Sequence, residues 1–414
     1  MYPLLTGLRV VECASFIAAP SCALYLRQHG AEVIRIDPIG GGPDFRRWPV
    51  SAEGHSYYWE GLNKGKRSIA IDLARPQGRQ LAVDLITAAG ADGGLFVTNF
   101  PRTGFLAHEA LARRRADLIT VRVAGWRDGE AAVDYTVNAA LGLPWLTGPA
   151  QTPGVPVNHV LPAWDLLTGA YAAFAALAAE RHRLRTGQGQ EVFVPLSDVA
   201  LAALANTGQV AEVLDSGDRP RHGNALFGAF GRDFLTADGQ AVMVVAITAR
   251  QWSGLVASLK LQAEVAALES ALGLSFAADE GLRFVHRDRL FPLFERAIAA
   301  ATLESLRAVF EGHGVCWAPY RTLGQALALD PRLALDAPWA TSLEHPSGKR
   351  YPAPGAPATF TALDRAEAVR APRLGEHTEQ VLAEVLAMSP TQIGALHDAG
   401  LVAGAGARAR PGSP

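Results

Sequence analysis

The first thirty-eight residues alternate in a way that few folds accommodate. "LRVVECAS" (Leu8–Ser15) is an apolar, β-branched run of the kind a buried strand needs. "IAAPSCALYLRQHG" follows with helical spacing and stops at Gly30, a natural helix C-cap. "AEVIRIDP" (Ala31–Pro38) is a second strand. A strand–helix–strand unit of this length calls for parallel pairing through a right-handed crossover. The alternation continues through the strands "RSIAIDL", "GGLFVTNF", "DLITVRVAGW" and "QEVFVPL", with helices "PQGRQLAVDLITAAG", "HEALARRRA" and "SDVALAALANTGQVAEVL" between or after them. Most of these strands are apolar on both faces, as in a sheet covered by helices on each side.

The pattern breaks at "DSGDRPRHGNALFGAFG" (Asp215–Gly231), where Gly, Pro and charge take over. "RDFLTADGQAVMVVAI" then reads as two strands about an Asp238-Gly239 turn, followed by helices rich in leucine and alanine. "LALDAPWATSLEHPSGKRYPAPGAPATF" is extended and Pro/Gly-rich. "EHTEQVLAEVLA" and "SPTQIGALHDAG" are the last helices, and residues 406–414 read as a disordered tail. The expected organisation is an α/β chain. A large Rossmann-like domain spans residues 1–215 and is completed by 340–405; a smaller α+β domain occupies 222–335.

Charge and cysteine usage narrow the class. Thirty-eight basic and 40 acidic residues give a net charge of −2, no basis for a nucleic-acid or anionic-membrane partner. Three scattered cysteines suit neither a disulfide framework nor a thiolate metal site, and eleven histidines show no ligand spacing, so no metal is expected. No apolar run approaches the ~18 residues needed to cross a bilayer, and the chain reads as cytoplasmic.

The first strand–helix turn, "CASFIAAPSC", contains no glycine, so the dinucleotide fingerprint is absent although Asp37 ends the second strand. Nor is there a G-x-S-x-G nucleophile elbow. The basic turn "NKGKRS" (Asn63–Ser68) suits phosphate or is a solvated turn, and "TNFPRTG" (Thr98–Gly104) lies where open α/β sheets bind ligands. Asp165, between Trp164 and a long apolar, alanine-rich run, has two readings. It is a helix N-cap or first-turn residue, or a partly desolvated carboxylate nucleophile kept ionised by the helix dipole. A carboxylate that attacks a thioester yields an energy-rich anhydride, so a thiol could pass between carboxylates without ATP.

Taken together, "LRVVECASFIAAPSCALYLRQHGAEVIRIDPIGGGPDFRRWP", "LNKGKRSIAIDL", "VTNFPRTGFL", "AWDLLTGAYAAFAALAAERHRLRTGQGQEVFVPLSDVAL" and "APRLGEHTEQVLAEVLAMSPTQIGAL" resemble family III CoA-transferases over nearly the whole chain. The resemblance implies two interlocked ring-like subunits in a homodimer, with CoA as part of an acyl-CoA substrate and no other cofactor. It implies that Asp165, in "D-L-L-T-G", carries the acyl group. The positions matching the CoA site are Phe16, Ile17, Ala18, Lys66, Arg67, Asn99 and Phe100; Pro38 departs from an arginine common there. Racemase relatives use a histidine and a glutamate where this chain has Val133 and Thr248, neither of which can act as a base.

Strings such as "VDYTVNAALGLPWLTGP" and "GNALFGAFGRDF" resemble more closely a branch that moves CoA between the C1 and C4 carboxyls of mesaconate, in the 3-hydroxypropionate carbon-fixation cycle. The alternatives are an intermolecular transferase for another dicarboxylic acid, a racemase, or a non-catalytic acyl-CoA binder. For the free carboxylate the candidates are Arg47, Tyr135, Asn138 and His159. Phe227 and Phe230 are either a gate against external acids or simple packing.

Overall fold

The structure is a computed structural model describing residues 1–335 and 337–406; the tail residues 407–414 lie outside the described residues. Two compact units divide the chain. The first comprises Met1–Leu141, His159–Asp215 and the chain from Leu335 onward, and the second Gly142–Asn158 with Ser216–Ala334. The stretch 142–158, read from sequence as part of the large domain, thus belongs to the smaller unit.

In chain order the first unit runs β1 (Arg9–Cys13), α1 (Ala18–Gln28), β2 (Glu32–Pro38), α2 (Tyr57–Leu62), β3 (Arg67–Ile71) and α3 (Pro76–Ile86). Then come β4 (Leu95–Thr98), α4 (His108–Ala112), β5 (Ile119–Ala124) and α5 (Asp134–Ala140). The chain passes into the second unit with α6 (Leu143–Leu146) and returns for α7 (Ala163–Thr186), β6 (Gln190–Pro195) and α8 (Leu196–Asn206). The sheet order is β3-β2-β1-β4-β5-β6, all parallel. A two-residue strand, Val402–Ala403, pairs antiparallel with β3 at the edge, which the parallel-sheet expectation did not include. This is the doubly wound order in which connections diverge to opposite sides between β1 and β4.

One face of the sheet is sealed by Val11, Ile34, Ile69 and Phe96 packing with Leu81 and Leu85 of α3 and with Val381 and Leu382 of the helix Thr378–Leu386. Lone charges inside the apolar strands pair with one another. Glu12 and Arg35 are register partners on β1 and β2 and are bonded at 2.7 Å. Arg35 also binds Asp37 and Asp44, both at 2.8 Å, and all four side chains are buried. Asp37, pushed up to about 6 by burial, is therefore spent inside the protein rather than free for a ribose.

In the second unit, β7 (Phe230–Leu235), β8 (Ala241–Ala246) and β9 (Cys316–Pro319) form an antiparallel sheet, with the expected turn at Asp238-Gly239. Phe230, Phe234, Trp252, Phe291 and Phe294 make its core. Phe230 is fully buried there, so it packs and does not gate; Phe227 is 44% exposed, stacked on His222 with the Arg219 guanidinium 3.6 Å above its ring. Thr248 caps the helix Ala249–Ser258 by accepting from the Gln251 N–H. The "extended" Pro/Gly segment contains a hairpin, Ala340–Glu344 with Arg350–Pro354.

Candidate active site

The crevice opens at the carboxyl ends of β1 and β4, where Cys13 and Thr98 are register partners. The loops leaving them are zipped together. Thr98 Oγ1 donates to the Cys13 carbonyl at 2.8 Å, Asn99 Nδ2 to the Ser15 carbonyl at 2.9 Å, and the Ser15 N–H to Asn99 Oδ1 at 3.1 Å. Phe16 takes a left-handed backbone, φ 69°, which a non-glycine residue adopts at a cost of about 1–2 kcal/mol. A phenylalanine here makes the sharp turn that dinucleotide-binding proteins make with glycine. Ile17 then starts α1 with no side-chain cap.

These loops line a cavity of about 690 Å³ together with Arg47, Tyr135 and Asp165. Five of the seven residues expected to hold CoA face it: Phe16, Ile17, Ala18, Asn99 and Phe100. Lys66 and Arg67 do not. The Lys66 ammonium is buried, donates to the Pro20 carbonyl at 3.0 Å and pairs with Glu12 at 2.6 Å. Arg67 pairs with Glu32 and Glu384. The basic turn is neither a phosphate cradle nor a solvated loop: Lys66 and Arg67 neutralise carboxylates of the same fold, and buried Lys64 donates to the Gly61 carbonyl. Arg47, Arg102 and Arg122 are the cations lining the cavity; Arg102 has its side chain 55% exposed, is paired to Glu191 at 2.6 Å and lies 4.8 Å over the Phe193 ring. Buried Arg122 shares Glu191 and donates to the carbonyls of Phe100, Pro101 and Leu106, which fixes the loop after β4.

Asp165 is the third residue of α7 and is half-buried. It is not the cap. Pro162 occupies that position without a side-chain bond, and the orphan N–H groups of Trp164 and Asp165 are instead accepted by Asp134 Oδ2 from α5, at 2.7 and 3.1 Å. Among the described residues no side chain hydrogen-bonds the Asp165 carboxylate. Burial first, then the charge of Asp134, push its carboxyl up to about 7, while the Arg47 guanidinium acts in the opposite sense. The expectation that the helix dipole keeps Asp165 ionised is thus too simple, because desolvation and a like charge win.

Arg47 lies 5.3 Å over the Phe16 ring and 5.5 Å over Tyr58. Tyr58 is near enough to Asp165 to feel its charge, and its hydroxyl is buried with no partner among the described residues. Tyr135 lines the cavity and its hydroxyl reaches the Val160 carbonyl at 3.3 Å. Asn138 and His159 stand behind the wall. Asn138 Oδ1 accepts from Trp164 Nε1 at 3.1 Å, and His159 Nε2 is 2.5 Å from Asp134 Oδ1. They orient the start of α7 rather than reach into the cavity. Asp134 was missed from sequence, though a carboxylate directly after Val133 in an otherwise uncharged stretch was visible.

The family model of CoA-transferase family III matches residues 5–378. The chain belongs to CoA-transferase family III. It is 52% identical to 2-methylfumaryl-CoA isomerase of Chloroflexus aurantiacus over 98% of this chain and 99% of that one. Succinate–glutarate CoA-transferase of Agrobacterium fabrum is 30% identical over 92% of this chain and 96% of its own length. A crystal structure of a CAIB/BAIF family protein from Brucella suis superposes with a TM-score of 0.74 at 27% identity, covering 93% of this chain and all of that one. The cavity lies at the β1–β4 switch point, and Asp165, in the first turn of α7, lines it. Among the described residues no group of three or more His, Cys, Asp or Glu side chains could hold a metal ion.

Proposed function

We propose that this family III member moves CoA within one substrate molecule, from the C1 to the C4 carboxyl of mesaconate, converting 2-methylfumaryl-CoA into 3-methylfumaryl-CoA. The observation that carries the chemistry is Asp165, a carboxylate at the wall of the cavity with no side-chain hydrogen-bond partner among the described residues. The choice of substrate rests on the 52% identity to 2-methylfumaryl-CoA isomerase. That reaction belongs to the 3-hydroxypropionate carbon-fixation cycle.

Asp165 attacks the C1 thioester carbonyl, the C–S bond breaks, and CoA leaves as thiolate from an aspartyl–mesaconyl anhydride. The thiolate attacks the aspartyl carbonyl, giving an enzyme–CoA thioester and free mesaconate. Mesaconate presents its C4 carboxylate to that thioester and the steps run in reverse. One thioester is exchanged for another, so no external energy is needed. Arg47 supplies the fork for the carboxylate not undergoing reaction, and Phe16 to Ala18, Asn99 and Phe100 hold the CoA arm, with Arg102 as the exposed cation nearest the phosphates. Two copies assemble in the cytoplasm. The solvent face of α7 carries Leu167, Tyr171, Phe174, Leu177 and Leu184, all exposed in one chain, a stripe that a second copy would cover.

The test is to mix the protein with 2-methylfumaryl-CoA and isotopically labelled mesaconate. The reading expects 3-methylfumaryl-CoA without label, and a covalent adduct on Asp165 by mass spectrometry of the quenched reaction. Label in the product would make it an intermolecular transferase. Absence of any adduct at Asp165 would remove the mechanism, and Asp165→Ala is expected to lower kcat by at least about 10³-fold.

A further inference from the structure

The environment of Asp165 holds an arrangement that a simple helix cap does not require. Asp134 is 2% exposed, yet its two oxygens do different things: Oδ2 accepts both backbone N–H groups at the start of α7, and Oδ1 faces His159 Nε2 at 2.5 Å. A serine or asparagine would cap as well without bringing a charge. Here a second carboxylate is buried beside the nucleophile, with a partly exposed imidazole as its partner. Arg47 from the loop after β2 also acts on Asp165, and Asp165 in turn acts on the Tyr58 phenol from α2. Asp128, Glu130 and Arg102 line the same cavity but are exposed.

We infer that Asp134 is a positioning residue whose buried charge repels the resting Asp165 carboxylate, and that His159 sets how much of that charge Asp165 feels. The inference rests on the proposed acyl transfer through Asp165. When Asp165 Oδ bonds to the thioester carbonyl carbon and the C–S bond breaks, the negative charge leaves the aspartate and departs on the CoA sulfur. The repulsion therefore acts on the resting carboxylate and is relieved in both covalent intermediates, anhydride and thioester, so it favours acylation. A neutral His159 donating to Asp134 leaves the full charge in place; a protonated His159 cancels most of it. Neither partner needs to touch the substrate. The pair also ties α5 to the chain just ahead of α7, so the same bond that holds the geometry sets the field.

Asp134→Asn separates the two roles. The amide oxygen still accepts the Trp164 and Asp165 N–H groups, and the amide nitrogen can donate to His159 in its other tautomer, but the charge is gone. The acidic limb of kcat/KM for 2-methylfumaryl-CoA is expected to move down by about one pH unit relative to wild type, with a severalfold lower plateau. His159→Gln keeps a donor to Asp134 but cannot carry a positive charge, and is expected to move the limb upward. Because all proteins share one substrate, its own ionisations cancel in the comparison. An Asp134→Asn limb that coincides with wild type overturns the inference, even if activity falls. A His159→Gln limb that stays in place overturns the role given to His159. An Asp165 adduct seen in wild type alongside an unmoved limb would leave the acyl-transfer reading standing and this inference refuted; loss of the wild-type adduct would refute that reading itself.

Discussion

A carboxylate that attacks a thioester must be ionised yet poorly solvated, and at Asp165 these two demands meet near neutrality. With its carboxyl held at about 7, mainly by burial, the folded protein binds a proton at this site more tightly than the unfolded chain does. The cost of ionising it in the fold is absent below the ordinary aspartate range, grows as pH rises and is complete above about 7. Asp165→Asn is therefore expected to raise Tm, by more at pH 8 than at pH 5, while abolishing turnover; thermal denaturation at the two pH values measures it. An equal gain at both would mean the carboxylate is not strained by its surroundings. Asp165 stood out as a lone carboxylate between Trp164 and an apolar run, and Arg47 because an arginine fork suits a carboxylate; both line the cavity. Lys66 was not, because sequence cannot tell a cation that faces a ligand from one that neutralises Glu12 two strands away. Asp134 was hidden for a related reason: its partners are backbone N–H groups thirty residues downstream.

At the scale of elements, the site depends on how closely α1 and α7 approach. Gly169, on α7, makes that approach possible. A Cβ there would lie 2.7 Å from Ser21 Cβ and 2.8 Å from the Ala18 carbonyl oxygen on α1. In an exposed helix, Gly→Ala gains up to about 1 kcal/mol; here the added methyl must push two backbones apart. Gly169→Ala is expected to destabilise the protein by about 1–3 kcal/mol in denaturant titration and to raise KM, since Ala18 lines the cavity that Asp165 also lines. The helices themselves were readable from periodicity, including the long α7, which in the structure ends at a left-handed Gly187. The short α2 and α5 were not, because six or seven residues carry too little pattern, and α8 ends earlier than its apolar run suggests, at Asn206 just before Gly208.

For the whole molecule, the parallel order of six strands followed from the alternation of strand and helix, whereas the antiparallel Val402–Ala403 edge, two residues long, left no signal of its own. The exposed apolar stripe of α7 predicts a particle of about twice 43.9 kDa in sedimentation or light scattering. Phe174→Asp, 66% exposed in one chain, is expected to shift that mass toward the single-chain value, whereas a monomeric wild type would contradict the assembly. The order of the sheet bears on how the protein is made. The first unit is stitched from three separated stretches of chain, and β3 acquires its outer neighbour only when residues 402–403 have emerged from the ribosome. Until then the nascent N-terminal half presents an open edge strand, a surface prone to pairing with other chains. Slowing translation late in the message should therefore lower soluble yield more than slowing it early.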